Sequence, residues 1–132
     1  MRYLLSFVVE EGAMEDASPE EMRDAMERWS AFDREAEEKG VLIACEPLED
    51  SSAATTVHVR EGGERVITDG PFAETKEQLG GFCLLECENL DEALKWANKV
   101  PLRSGSIEVR PVMDLSRFGY ESRTRTPARA GA

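Results

Sequence analysis

Two helix-start signals, separated by strand-like runs, constrain the fold of this chain more than any other feature. Ser18-Pro19-Glu20-Glu21 is a capping box with proline at the first helical position, and Asn89-Leu90-Asp91-Glu92 has a similar pattern. The first helix is expected to end at Gly40 and the second to stop at Pro101. Apolar runs of strand length precede, separate and follow these helices, so we predict two helices alternating with strands.

The strand-like runs complete the predicted architecture. Gly62-Gly63 joins two short runs as a β-hairpin. The predicted order of elements is strand, helix, strands, strand, helix, strand. This order is typical of a ferredoxin-like α+β fold, which has an antiparallel sheet with two helices on one face, and here an added hairpin. The predicted strands are 1–10, 41–48, 54–60, 65–68, 82–88 and 106–113.

Each predicted helix has an apolar stripe that should face the sheet. In the first helix the stripe is Met22, Ala25, Met26, Trp29, Phe32 and Ala36, and in the second it is Leu90, Ala93, Leu94, Ala97 and Val100. The other face of the sheet then lacks a cover. We therefore predict a homodimer that packs sheet to sheet.

Length and charge limit the classes of function. The chain has 132 residues, 41% of them hydrophobic, which suits one domain. A net charge of −11 argues against nucleic-acid binding, because such a surface repels phosphate. No apolar run approaches the roughly 20 residues of a membrane span, and no basic region followed by an apolar segment begins the chain. We expect a soluble cytoplasmic protein that binds no membrane.

The charge is uneven along the chain. Residues 1–115 form the predicted domain, and residues 116–132 form a basic tail with Arg117, Arg123, Arg125 and Arg129 against Glu121 alone. Two interpretations stay open for this tail. It is either solvated or a docking arm that lies on an acidic body or partner.

The three cysteines, Cys45, Cys83 and Cys87, do not form a metal-binding pattern. On one strand, Cys83 and Cys87 would lie about 13 Å apart at roughly 3.3 Å per residue, too far for a disulfide. We expect small buried residues in a reducing compartment. No phosphate loop, dinucleotide or haem motif occurs either, so we expect a protein without metal or cofactor.

The stretch 67–82, ITDGPFAETKEQLGGF, is the densest candidate site. Asp69 either fixes a turn by accepting backbone N–H groups or lies in a sheet cleft as a general base or ligand-binding carboxylate. The residues around it that could contribute to ligand binding are Gly70, Pro71, Phe72, Glu74, Lys76 and Glu77.

Residues outside this stretch complete the candidate set. Glu108 and Arg110 should face away from the helices, where Arg110 could hold a carboxylate or phosphate, or form an ion pair with Glu108 or Asp69. Trp29 is expected in the core, or else as an aromatic wall of a cleft. His58 is expected to be an exposed polar strand residue rather than a catalyst.

Several segments together resemble the YCII-related family, in the branch called DGPF-domain proteins. They are Asp69-Gly70-Pro71-Phe72, Ala73-Glu74-Thr75-Lys76-Glu77, Gly80-Gly81-Phe82, Gly40-Val41-Leu42, Asp91-Glu92-Ala93-Leu94-Lys95-Trp96-Ala97 and Ile107-Glu108-Val109-Arg110-Pro111. The resemblance implies a dimeric ferredoxin-like α+β barrel. The wider superfamily includes enzymes with a proposed His–Asp pair that act on small chlorinated aromatic compounds. Trp29 stands where those members carry histidine, so that mechanism does not transfer.

Three functions follow as hypotheses. The first is a small-molecule-binding or regulatory accessory protein with a small anionic or aromatic ligand or a protein partner; the resemblance links it to sigma factors of the extracytoplasmic-function type. The alternative is a cofactor-free lyase or isomerase with Asp69 as general base and Arg110 holding an anionic substrate. In the third, the 67–82 stretch serves only folding and dimerisation.

Overall fold

The computed structural model describes residues 1–122, in two helices and six strands. Four strands form an antiparallel sheet in the order β2-β5-β1-β6, and β3 pairs with β4 as a separate hairpin. This is the predicted ferredoxin-like α+β arrangement with an added hairpin. The elements are β1 (Arg2–Glu10), α1 (Pro19–Glu38), β2 (Leu42–Pro47), β3 (Thr55–Val59), β4 (Arg65–Asp69), β5 (Glu77–Glu86), α2 (Leu90–Ala97) and β6 (Ser106–Pro111), with 3₁₀ turns at Ser51–Ala53 and Leu115–Phe118.

Both predicted helix starts are confirmed by their capping contacts. The Ser18 hydroxyl accepts a hydrogen bond from the Glu21 N–H at 3.1 Å, and the Asn89 side chain accepts one from the Glu92 N–H at 3.0 Å. Each contact satisfies a backbone donor that has no partner within its helix. The capping contacts therefore fix the residue at which each helix begins.

The core lies on one face of the sheet. Tyr3, Leu5 and Phe7 alternate along β1 as buried residues, and both helices contribute to the same cluster. The rings of Phe32 on α1 and Trp96 on α2 lie 6.0 Å apart in an edge-to-face contact. Burying a large apolar side chain stabilises the fold by about 1.5–3 kcal/mol. Both helices therefore cover the same face, as predicted.

The predicted helix stripes are only partly correct. Phe32 and Ala36 are buried on α1, but Met22 is 43% and Met26 is 65% exposed, because the first half of α1 borders an open cleft. On α2, Leu90 and Leu94 are about half exposed, and Trp96, outside the predicted stripe, is buried. Apolar residues surround most of this short helix, so periodicity left its orientation undetermined. The largest apolar side chain occupies the core.

The glycine pair Gly80-Gly81 lies inside β5, and not before it as predicted. A Cβ at Gly80 would lie 2.6 Å from Val9 Cγ2, and one at Gly81 would lie 3.0 Å from the Glu46 carbonyl oxygen. Close approach of neighbouring strands therefore accounts for both glycines. The strand continues through them from Glu77.

The prediction of unpaired cysteines is wrong for two of the three. Cys45 and Cys83 lie directly opposite each other on β2 and β5 and form a disulfide. From the sequence spacing, only a disulfide between two cysteines of one strand had been considered. Cys45 and Cys83 meet because β2 and β5 are neighbours in the sheet. Cys87 is free and buried, and its burial, with Glu92 and Glu86 nearby, raises the pKa of its thiol to about 11. Because two of the cysteines form a disulfide, the cysteine content no longer supports the prediction of a reducing compartment.

Two other expectations from the sequence concern membrane spans and the basic tail. Neither α1 nor α2 has the length and apolar character needed to cross a bilayer. Arg117 of the predicted basic tail lies in the second 3₁₀ turn, whereas Arg123, Arg125 and Arg129 lie outside the described residues. The boundary at residue 115 and the docking role of the tail stay predictions.

The disulfide predicts a thiol count and a response to reductant. We expect one titratable thiol per unfolded chain before reduction and three after it. Because the bridged residues are 38 positions apart, the bridge should stabilise the fold by up to roughly 4 kcal/mol in the loop-entropy description. Reduction should therefore lower the melting temperature of the wild type. The Cys45→Ala variant should melt at one temperature with or without reductant. Three thiols before reduction would contradict the bridge.

Candidate functional site

A cleft of about 380 Å³ opens between the first half of α1 and the sheet. Its walls come from the ends of β1 and β2, from the middle of β5, from α1, and from the segments before α1 and after α2. Its lining residues are Phe7, Val9, Met14, Met22, Ala25, Met26, Trp29, Ser30, Cys45, Glu46, Pro47, Gly80, Gly81 and Leu102. Most of these side chains are apolar, as in small-molecule sites.

The walls combine a fixed aromatic side with adaptable side chains. The Trp29 ring lies 5.3 Å from Phe7 and 6.3 Å from Phe32, so these contacts hold it against the core. Met22 and Met26 are unbranched and polarisable, and they can adapt to ligands of different shape. Gly80 and Gly81 line the cleft on the side of the sheet, and they have no side chain that would fill it. The cleft is thus open because of the same glycines that bring the strands close together.

A second cleft of about 340 Å³ adjoins the first. It shares Val9, Met14, Ala25, Trp29, Gly80 and Leu102 with the first cleft. Its remaining lining is more polar and includes Glu10, Glu11, Glu49, Asp50 and Arg103. The Glu11 carboxylate accepts hydrogen bonds from the Ser51 N–H and hydroxyl, so it is engaged in holding the Ser51–Ala53 turn.

The main cleft has an acidic end. Glu46 is the one charged side chain among its described lining residues. Asp33 lies one turn beyond Trp29 on α1, and its Oδ1 is buried without a hydrogen-bond partner among residues 1–122. Burial, followed by the negative charges of Glu46 and Glu37, raises the pKa of the Asp33 carboxyl. Of these carboxylates, Glu46 belongs to the cleft lining, whereas Asp33 lies outside the lining of both clefts.

Trp29 is the predicted site residue that the structure places in this cleft. It contacts core rings and also lines the opening, so both alternatives considered for it apply. Asp69 lies elsewhere, exposed at the end of β4. Within residues 1–122 no hydrogen bond reaches its carboxylate. The turn is instead held by the Thr56 hydroxyl, which donates to the Gly70 carbonyl, and by the Gly70 N–H, which donates to the Ala54 carbonyl, both at 2.7 Å.

The rest of the predicted loop site also lies outside the cleft lining. Phe72 is 84% exposed, Pro71 is half-buried and Glu74 is exposed. Lys76 reaches Glu10 at 3.8 Å, and Glu77 begins β5. Both ion-pair partners are exposed, so this contact contributes little to stability.

Arg110 and Glu108 form the ion pair that was one alternative for them, at 2.7 Å. Both are exposed on the sheet face opposite the helices. No ion pair within residues 1–122 joins Arg110 to Asp69. His58 Nε2 lies 2.8 Å from the Thr68 hydroxyl across the hairpin, which suits a structural polar contact.

Sequence inspection missed Asp33 and Glu46. The available signal for Asp33 was an acid four residues after Trp29 on the apolar stripe of α1. Glu46 gave no such signal, because its proximity to Asp33 depends on how β2 packs beside α1. Among residues 1–122, no three His, Cys, Asp or Glu side chains converge as a metal site would.

The raised pKa of Asp33 predicts a pH-dependent stability difference. Its protonated form stabilises the fold fully below the pKa of an aspartate in the unfolded chain, about 3.9. This stabilisation is lost as the pH rises through the higher pKa that the carboxyl has in the folded protein. Asp33→Asn should therefore raise the melting temperature by about 2–4 °C at pH 7, where the wild type carries the repelling charge. The gain should shrink as the pH is lowered toward the unfolded pKa.

Thermal unfolding of both proteins between pH 4 and pH 8 measures this difference. Glu27→Gln, the same charge change on the exposed face of α1, is the control and should leave the melting temperature nearly unchanged. An equal gain for Asp33→Asn at every pH would show that ionisation of Asp33 is not its cause.

Comparison with known proteins places both helices and all six strands of the described residues in one family. The model of the YCII-related domain matches residues 1–116. An uncharacterized protein of Rhizobium meliloti (strain 1021) is 44% identical over 98 residues, which cover 72% of this chain and 78% of that relative. The chain therefore belongs to the YCII-related family.

Proposed function

We propose that this protein binds a small apolar or aromatic molecule in the cleft beside α1, as a binding or regulatory accessory protein. The observation that carries the proposal is the cleft itself, with a volume of about 380 Å³ and a largely apolar lining around Trp29. Small-molecule sites are typically concave and apolar, with a few polar groups that orient the ligand.

The lining favours binding over turnover. Cys45 contributes a disulfide sulfur and therefore no thiolate. Trp29 lies on the wall and cannot exchange protons with a bound molecule. Glu46 is the one described lining side chain that could act as an acid or base. This set suits recognition of shape and charge.

The proposal predicts that filling the cleft abolishes binding. Titration calorimetry with neutral 1-naphthylmethanol should give a dissociation constant on the order of 0.1–1 mM for the wild type, given its few heavy atoms. Ala25→Phe places a ring in the cleft and should weaken binding at least tenfold.

The matched control is Ala31→Phe, the same substitution on an exposed position of α1 outside the cleft lining. It should bind the alcohol as the wild type does. Equal binding by Ala25→Phe would show that the ligand occupies another place, and absence of binding by the wild type would overturn the proposed function.

We also propose a homodimer in which the open face of the sheet is covered by a second copy. Leu4, Phe82 and Leu84 lie on the face opposite the helices, because they alternate with the buried residues of β1 and β5. Leu79, on the same strand, is 49% exposed. On the hairpin, Val57 and Ile67 are 50% and 69% exposed. A second copy would remove these apolar surfaces from water.

Light scattering after size exclusion tests this assembly. The wild type should have twice the 14.7 kDa mass of one chain. Leu84→Asp should shift the mass to that of one chain, because a carboxylate would enter the interface without a partner. Ala31→Asp on the exposed side of α1 should stay dimeric. A wild-type mass of one chain at micromolar concentration would contradict the dimer.

Three finer expectations from the sequence stay predictions: the sigma-factor link, the cytoplasmic location and the use of Asp69 as a general base. The exposed position of Asp69 outside the cleft lining does not favour its use as a general base. Loss of turnover in Asp69→Asn would test the last one directly.

A further inference from the structure

A reactive group borders the main cleft and has no part in the proposed binding. It is the disulfide between Cys45 and Cys83, of which Cys45 belongs to the cleft lining. A small thiol can open a disulfide when it reaches one of the two sulfurs, and the exchange passes through a mixed disulfide. The surroundings of the bridge therefore decide which thiols can open it and at which sulfur.

The two bridged cysteines differ in access. Cys83 is fully buried in the core cluster and lines neither cleft. Cys45 is half-buried and borders the main cleft from the edge strand β2. A thiol that enters the cleft can therefore reach Cys45 and not Cys83. The free cysteine, Cys87, is buried and outside both cleft linings, so it does not compete.

The cleft lining also selects the body of the thiol. Trp29, Met22 and Met26 give the cleft an apolar surface on the side of α1. A thiol with an aromatic or branched aliphatic body removes apolar surface from water when it enters, whereas a small polar thiol gains little there. Holding the reacting sulfur close to Cys45 speeds the exchange. Apolar thiols should therefore react faster than polar thiols of equal acidity.

We propose that Cys45 and Cys83 form a redox couple that exchanges with small apolar thiols and their disulfides through the cleft, with Cys45 as the exchanging sulfur and Cys83 as the resolving sulfur. This activity goes beyond ligand binding, because it does not require that a ligand be held in the cleft at equilibrium.

The exchange balances without any further reagent. In the opening direction, the thiolate of the small thiol attacks the Cys45 sulfur and forms a mixed disulfide with it. The bond between the protein sulfurs breaks, and the Cys83 sulfur leaves with the electron pair and takes up the proton that the small thiol had lost. A second small thiol displaces Cys45, so that two small thiols are oxidised to one disulfide and the bridge is reduced to two thiols.

The closing direction uses the same residues in reverse. The thiolate of Cys45 attacks a small disulfide, which forms the mixed disulfide and releases one small thiol. Cys83 lies directly opposite Cys45 on β5, so its sulfur can then attack the Cys45 sulfur and release the second small thiol. An accessible cysteine beside a buried resolving cysteine is the arrangement that this cycle requires.

Two thiols of similar acidity and different bodies test the route. Phenylmethanethiol carries an apolar ring, and 2-mercaptoethanol carries a small polar group. At equal concentration and pH, phenylmethanethiol should open the bridge of the folded wild type about tenfold faster than 2-mercaptoethanol does. In urea, where no cleft exists, the two rates should be nearly equal. Alkylation of free thiols followed by peptide mapping measures the opening of the bridge over time.

Matched variants test whether thiols enter through the cleft. Ala25→Phe places a ring in the cleft and should reduce the advantage of phenylmethanethiol to the value seen in urea. Ala31→Phe, on an exposed position outside the cleft lining, should keep the wild-type advantage.

Two further variants identify the exchanging sulfur. In Cys83→Ala the thiol of Cys45 is left alone, and in Cys45→Ser the thiol of Cys83 is left alone, with Cys87 as a common background. With 4,4′-dithiodipyridine, Cys45 of the first variant should form a mixed disulfide about tenfold faster than Cys83 of the second, because only Cys45 borders the cleft. The wild-type rates decide the route even if Cys83→Ala fails to fold.

The outcomes separate this proposal from the proposed binding function. If neither thiol opens the folded bridge, or both open it in the ratio seen in urea, the bridge is purely structural and the redox couple is wrong. An unchanged advantage in Ala25→Phe would exclude entry through the cleft, and equal reactivity of Cys45 and Cys83 would contradict their assigned roles. If the exchange behaves as expected while 1-naphthylmethanol does not bind, the binding function is wrong and the redox couple stands.

Discussion

Four aromatic rings in line hold this fold together. Phe7 of β1 contacts Trp29 of α1, Trp29 contacts Phe32, and Phe32 contacts Trp96 of α2, with centroid distances of 5.3, 6.3 and 6.0 Å. Such edge-to-face and tilted contacts add about 0.5–1.5 kcal/mol per pair to the burial of the rings. They fix both helices against one sheet face. Along α1 these ring contacts begin only at Trp29, and the cleft lies beside the part of the helix that precedes it.

Local signals made the architecture predictable. A capped helix start depends on residues three apart in sequence, so Ser18 with Glu21 and Asn89 with Glu92 could be recognised without knowing anything of the tertiary structure. The order of elements then left few topologies for a chain of this length. The orientation of α2 was harder to predict, because apolar residues surround most of it and only packing selects Trp96 over Leu94 for the core.

Of the residues that line the candidate site, Trp29 was the one that the sequence predicted. The other features arise where residues distant in sequence meet: Cys45 with Cys83 across two strands, and Asp33 with Glu46 between a helix and a strand. The dense stretch 67–82 attracted attention for its composition, yet its glycine pair serves the approach of neighbouring strands and its acids are exposed. Motif density indicated the family correctly. It did not indicate which cavity the fold would form.

The disulfide gives the cleft two sides of different mechanical character. Cys45 lies on β2, an edge strand that pairs with β5 along one side only. With the covalent link, the wall formed by Cys45, Glu46 and Pro47 keeps its distance from Gly81, while Met22 and Met26 on the facing helix can change rotamer. If the cleft binds a ligand as proposed, its rigid wall would lose little conformational entropy on binding, and its methionines would adjust to ligands of different shape.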